Sequence, residues 1–166
     1  MVANGPAQID NSTALTWACS TGNVSGLRAL LATEQSPEMG FGKTDTMKLL
    51  YAAARSSRDA SNAPLQVVSL LLEPKLMIDI NMYSAAGTTA AMVAALRPQK
   101  GGVLRCLIRH GADVTNAKDH DDDTTLHYAI VNRSHPAILI LLGLDDELGP
   151  TAGVEERYRH INRQRS

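Results

Sequence analysis

Four segments of this chain can be aligned with one another, and this repetition constrains the fold more than any other feature of the sequence. Each segment starts with a similar short motif, and a run of aliphatic residues follows it. Leu15, Leu49, Ala91 and Leu126 occupy equivalent positions and are 34, 42 and 35 residues apart. A period of this size indicates a solenoid in which each repeat packs mainly on its neighbours.

The motifs of the third and fourth segments resemble those of the ankyrin repeat. Residues 109–114 have the sequence Arg-His-Gly-Ala-Asp-Val, close to the x-H-G-A-D-V of that family, and Leu126-His127 matches the Leu-His pair of its T-P-L-H start. Ile78-Asp79-Ile80-Asn81, one repeat earlier, resembles the A-D-V-N of the family less closely. The resemblance extends over about residues 11–149. It implies an all-α fold, a solenoid of stacked helix-turn-helix repeats with short β-hairpin fingers.

Several positions depart from the family pattern. The family proline is absent from all four motifs, and Ala91 replaces the usual leucine, which predicts loose packing of the third repeat. The polar stretch Arg55–Pro64 lengthens the second repeat, and we expect it to be a mobile loop that folding does not require. The first finger, Glu34–Asp45, lacks the G-A-D-V pattern.

The sequence predicts three regions. Residues 1–10 are polar and form a loose N-terminal segment. The repeat domain spans residues 11–149, with repeats at about 11–42, 43–83, 84–118 and 119–149. In residues 150–166, Val154, Tyr158 and Ile161 have helical spacing. This last region is interpreted as a C-terminal capping helix or as the start of a further repeat.

Composition limits the kinds of partner that the protein can bind and the cellular compartment in which it is expected. A net charge of −1 argues against a general nucleic-acid or membrane-surface binder. Cys19 and Cys106 lie far apart in apolar stretches, as expected for free thiols in a reducing compartment. The N-terminus does not look like a secretory signal, and the longest aliphatic block is too short to span a bilayer. These features predict an intracellular protein, cytoplasmic or nuclear, and a monomer.

Two segments look like sites of chemistry but lack essential residues. Gly42-Lys43-Thr44 ends like a phosphate-binding loop, yet Pro37 stands where that loop needs its first glycine. The acidic run Asp119–Asp123 lacks the glycine and the glutamate of a calcium loop. No serine or cysteine lies in a nucleophile elbow. We therefore expect no catalytic, cofactor or metal site, and the resemblance assigns His127 a structural hydrogen bond within the finger.

Aromatic residues recur at one position of the repeat. Trp17, Tyr51, Val93 and Tyr128 are equivalent, and they either pack between neighbouring first helices or form a partly exposed ladder. The family resemblance implies a non-catalytic scaffold that binds another protein on its concave face and finger tips. The alternatives are a regulatory or targeting domain of a larger enzyme and, as a minor one, a nucleotide-binding enzyme using Gly42-Lys43-Thr44. The expected partner-binding residues are Trp17, Thr21, Phe41, Tyr51, Arg55, Tyr83, Arg97, Asp121, Asp122, Tyr128 and Asn132.

Overall fold

The computed structural model describes residues 11–33, 43–56, 62–97 and 101–144, and these residues form four helix pairs. The helices have the following bounds: α1 Asn11–Thr21, α2 Val24–Thr33, α3 Lys43–Ala54, α4 Ala63–Leu71, α5 Ala90–Ala95, α6 Gly102–Arg109, α7 Thr125–Val131 and α8 His135–Leu141. A short 3₁₀ helix, Pro74–Leu76, follows α4. The predicted all-α stack of helix-turn-helix repeats is therefore confirmed.

The pairs stack so that the helices form two layers. The first helices pack in the order α1, α3, α5 and α7, and α2, α4 and α6 form the second layer. Aliphatic side chains fill the space between the layers, and Leu27, Leu71 and Leu107 are completely buried. Burial of such a side chain contributes about 1.5–3 kcal/mol relative to exposure. The core is thus continuous along the stack, as the period of the aliphatic runs predicts.

Threonines start the first helices of the last two repeats. Thr89 precedes α5 in an extended conformation, and its hydroxyl accepts a hydrogen bond from the Met92 N–H at 3.3 Å. Thr124 holds the same place before α7, and its N–H donates to His127 Nδ1 at 3.1 Å. The first bond gives a partner to the Met92 N–H in the first turn of α5. The second gives a partner to the Thr124 N–H, where the connection meets α7. The predicted structural role of His127 is borne out by this bond.

The predicted β-hairpin fingers are not confirmed. Between the described helices the structure has no strand, and the pairing of extended backbone is one antiparallel bridge between Lys118 and Thr124. Side chains shape these connections instead. Asp119 Oδ1 accepts hydrogen bonds from the N–H groups of Asp121 and Asp123, each at 2.9 Å. Short polar side chains bond to the backbone in this way in turns.

The connections of neighbouring repeats contact one another. The Asn81 side chain accepts a hydrogen bond from the Asp113 N–H at 2.8 Å and donates to the Gly111 carbonyl at 3.3 Å. Gly87, with φ of 75°, lies directly against His120 in the next repeat. These contacts fix the register between repeats on the side of the stack opposite to the helix turns.

The structure corrects some expectations about the repeats. Leu15, Leu49 and Ala91 are almost completely buried, whereas Leu126 is only partly buried and lies outside the core cluster. A following repeat covers this position in the first three repeats, but α7 has no such neighbour among the described residues. All six residues of α5 are buried, so the small side chain of Ala91 leaves its helix well covered.

Two predicted loops lie partly outside the described residues. In Arg55–Pro64, residues 57–61 are not described, and α4 already begins at Ala63 with Pro64 buried in its first turn. The C-terminal part of that stretch is therefore helix, because proline is favoured in the first turn. In the first finger, residues 34–42 are outside the described set, and Lys43 begins α3.

The last helix pair presents apolar side chains at the surface. Ile130, Leu139, Leu142 and Leu144 are exposed on or just after α7 and α8. Residues 150–166 lie outside the described part of the chain, so the capping helix and the start of a further repeat both stay predictions. Within the described residues, no helix has the length and apolar character needed to cross a membrane.

Candidate functional site

A groove runs across the layer of first helices. Its volume is about 510 Å³, within the usual range of binding pockets. Helices α3, α5 and α7, the turns that follow them and the connection before α5 supply its lining, which consists of Tyr51, Arg55, Thr88, Val93, Leu96, Arg97, Tyr128 and Asn132. We call this set of eight residues the groove.

Two columns of equivalent residues account for most of the groove. Tyr51, Val93 and Tyr128 form one column, and the residues four positions later, Arg55, Arg97 and Asn132, form the other. Arg55 and Asn132 directly follow the ends of α3 and α7, and Arg97 lies two residues after α5, so each of these three repeats contributes one residue to each column. The groove therefore follows directly from the repeat period.

Val93 makes the space between the two tyrosines. Helix α5 packs between α3 and α7, and its equivalent side chain is a valine rather than a tyrosine. Tyr51 and Tyr128 are partly buried, and Val93 is buried at the floor. A small residue between two large ones leaves a depression with aromatic walls.

The tyrosine hydroxyls are held by the connections between repeats. Tyr128 donates a hydrogen bond to Asp119 Oδ2 at 2.6 Å. The Tyr51 hydroxyl bonds to Thr88 Oγ1, which lies 2.7 Å from Ser84 Oγ. These bonds orient both rings before any partner arrives, and this reduces the conformational entropy lost on binding.

The Tyr128–Asp119 bond shifts the titration of both groups. The hydrogen bond from Tyr128, with smaller contributions from two backbone N–H groups and His120, lowers the pKa of Asp119. Burial, followed by the hydrogen bond to Asp119, raises the pKa of Tyr128 above its usual range. At neutral pH the tyrosine is a donor and the aspartate a carboxylate acceptor, which is the arrangement that strengthens such a bond.

The two arginines of the groove lie at the ends of α3 and α5. The Arg97 guanidinium donates through Nη2 to the Arg55 carbonyl, which is in the turn after α3. The Arg97 carbonyl in turn accepts a hydrogen bond from the buried Ser134 hydroxyl at 2.6 Å. Arg97 is thus held both through its main chain and through its side chain.

The structure brings five of the predicted partner-binding residues together. Tyr51, Arg55, Arg97, Tyr128 and Asn132 all line the groove.

The other predicted residues lie elsewhere. Trp17 is 62% exposed and Tyr83 is 53% exposed, and neither lines the groove. Thr21 donates to the Trp17 carbonyl at 2.8 Å near the end of α1. Asp121 and Asp122 are exposed, with Asp122 paired to Lys118 at 3.3 Å. Phe41 lies outside the described residues. Trp17 does not pack between first helices, so in the first repeat the ladder position is free for contact.

Thr88 and Asp119 were missed as parts of the site. Thr88 lines the groove and anchors Tyr51, and Asp119 anchors Tyr128. Each lies shortly before the first helix of a repeat, in a connection that supplies a hydrogen-bond partner to a tyrosine hydroxyl. That position in the repeat is the signal by which the sequence could have identified them. The acidic run identified Asp119 only as one charge among several.

The cysteines are unsuited to nucleophilic chemistry. Both are free and buried, as predicted. Burial raises the pKa of Cys19 to about 12 and also raises that of Cys106. The reactive form of cysteine is the thiolate, so neither side chain is activated at neutral pH. In the described ranges, no group of three or more His, Cys, Asp or Glu residues is arranged to hold a metal ion.

Comparison with known proteins identifies the repeat. A family model for ankyrin repeats, describing three copies, matches residues 57–151, which is more than half of the chain. No curated protein matches the sequence. The first helix pair and α3 lie outside the matched segment, and they stack in the same order as the later repeats. Ankyrin repeats are generally protein–protein interaction modules, and the family is typically non-catalytic. The chain belongs to the ankyrin repeat family.

Proposed function

We propose that this protein is a non-catalytic scaffold whose groove binds a segment of a partner protein. The observation that carries this is the preformed depression between Tyr51 and Tyr128 with Val93 as its floor. Aromatic walls offer apolar area at low entropic cost, and the polar column beside them can bond to a peptide backbone. Aromatic and arginine side chains are enriched among the residues that anchor protein interfaces.

Residues outside the groove would extend the contact. Trp17 continues the aromatic column onto α1, and its exposure suits an interface anchor. Tyr83 and the exposed Asp121 and Asp122 lie on the connections, where the predicted finger-tip contacts belong. The aspartates would speed the approach of a basic region more than they would deepen affinity. We propose these residues as the rim of the interface.

Filling the groove tests this function. The variant Val93→Tyr places in the third repeat the residue that the second and fourth already carry at that position. Peptides selected from a phage-displayed random library on the full chain should bind the native protein and lose binding to this variant. Gln66→Tyr is the matched control, because Gln66 is exposed on α4 in the other layer. If every selected peptide binds Val93→Tyr as well as the native chain, the proposal is wrong.

A further inference from the structure

We propose that the groove selects partner segments by an acidic side chain. In this arrangement Arg55 and Arg97 bind the carboxylate, while Tyr51, Val93 and Tyr128 hold an apolar side chain two residues away in the same extended segment. This inference rests on the proposed function, since it names the kind of segment that the groove accepts.

Charge complementarity identifies the acidic side chain. Arg55 and Arg97 are the charged residues of the groove, whose other members are apolar, aromatic or neutral polar. Within the described part of the chain, neither arginine forms an ion pair with a carboxylate. The Asp119 carboxylate, beside Tyr128, accepts a hydrogen bond from that tyrosine. The chain as a whole carries a net charge of −1, so the two arginines are a local positive site in a nearly neutral protein.

The arginines are arranged to receive a carboxylate. One N–H of the Arg97 guanidinium bonds to the Arg55 carbonyl, and its planar fork has five N–H donors in all. The Ser134 hydroxyl fixes the Arg97 main chain from the other side. Arg55 follows α3 directly and is exposed, so its own guanidinium can turn toward the same ligand. Charge-assisted bonds of this type are stronger than neutral ones and are geometrically selective.

The spacing of the two columns sets the spacing of the ligand. Arg55 follows Tyr51 by one helical turn, closed by the bond from its N–H to the Tyr51 carbonyl, and four residues of helix rise about 6 Å. Arg97 is also four residues after Val93 and lies two residues beyond the end of α5. In an extended segment, alternate side chains point the same way and are about 6.6–6.8 Å apart. A segment lying parallel to the helix axes, across the two columns, can therefore place an apolar residue on the aromatic column and an acidic residue, two positions away, on the arginines.

Selection from a random dodecapeptide phage library on the full chain, followed by fluorescence anisotropy on synthetic peptides, tests the inference. Peptides that Val93→Tyr excludes should carry Asp or Glu two positions from an apolar residue. Replacing that acidic residue by Asn or Gln should weaken binding to the native chain by roughly tenfold or more. When the protein is the Arg55→Gln or Arg97→Gln variant, the same replacement in the peptide should change its affinity by less than about twofold. Arg28→Gln is the control, since exposed Arg28 lies on α2 in the other layer.

Each contrary result has a separate meaning. If groove-dependent peptides carry no acidic residue, or if their acidic residue is equally important on both arginine variants, the inference is wrong and the proposed function stands. A peptide with phosphoserine at the acidic position is tested as well. If it binds more tightly than the Asp or Glu peptide, the preferred ligand group is a phosphate rather than a carboxylate, and the inference is wrong. If no selected peptide depends on the groove, the proposed function itself fails.

Discussion

Gly87 is the position where a single methyl group tests the contact between neighbouring repeats. Its φ is 75°, a conformation that residues with a Cβ rarely adopt. A Cβ added there would lie 2.7 Å from His120 Cδ2 and 2.9 Å from the His120 backbone nitrogen. The side chain of His120 can move away, but its backbone nitrogen belongs to the next connection and can move only with it. Gly87→Ala should therefore push the third and fourth repeats apart at this point.

The expected loss has two parts. The left-handed conformation costs about 1–2 kcal/mol for a residue with a Cβ. Inserting a methyl group into a close contact costs a further 1–3 kcal/mol or so. The free energy of unfolding should thus fall by about 2–5 kcal/mol in Gly87→Ala, measured by denaturant titration. This is a large share of the roughly 5–15 kcal/mol typical of a folded domain.

Gly111 supplies the matched control. Its φ is 91°, but a Cβ there would have no heavy atom within 4 Å beyond its immediate chain neighbours. Gly111→Ala therefore carries the conformational cost alone, about 1–2 kcal/mol. Both variants replace a glycine by an alanine, so the change in the conformational entropy of the unfolded chain is the same in both and cancels in the comparison. Equal losses in the two variants would show that the contact between Gly87 and His120 does not exist in solution.

Three further predictions follow from individual residues. Thr125→Pro should raise the free energy of unfolding by about 0.4–1 kcal/mol in a denaturant titration. Thr125 is the first residue of α7, where proline is favoured, and Thr124 before it is already extended. The substitution also removes a buried hydroxyl that has no hydrogen-bond partner. Leu107→Ala should lower it by about 2–5 kcal/mol, since Leu107 is completely buried; a smaller loss than in Leu139→Ala, at a side chain 39% exposed, would contradict the core assignment. Tyr128→Phe should raise the pKa of Asp119 toward its ordinary value in a carboxyl NMR titration. Because the folded-state pKa of Asp119 is lowered, its stabilising effect is present above the unfolded pKa of about 3.9 and is lost as the pH falls through the folded value. The stability difference between Tyr128→Phe and the native chain should therefore shrink on acidification, and a difference that grows would refute this assignment.

The sequence predicted the architecture well because the repeat period and the aliphatic runs are properties of the whole chain. Leu15, Leu49 and Ala91, which the repeat makes equivalent, are all buried. Leu126 is the exception, because its burial depends on a neighbour that the motif itself does not encode. The connections were harder to predict: the hairpins are not confirmed, and side-chain bonds such as those of Asp119 shape the described connection around the single bridge.

Part of the groove could also be predicted from the sequence. Tyr51 and Tyr128 were recognised from their equivalent positions, and Arg55, Arg97 and Asn132 as candidates near them. The sequence did not show that Val93 would open a space between the tyrosines, because this depends on the order of α3, α5 and α7 in the layer. It also did not show that Thr88 anchors Tyr51, since that bond joins residues 37 positions apart.

Amide chemical-shift mapping of the full chain with a selected peptide tests the central claim most directly. We expect the largest changes at Tyr51, Val93, Leu96, Arg97 and Tyr128, on α3, α5 and α7 and the turns that follow them. Changes concentrated on α4 and α6, in the other layer, would contradict the assignment of the groove as the partner-binding surface.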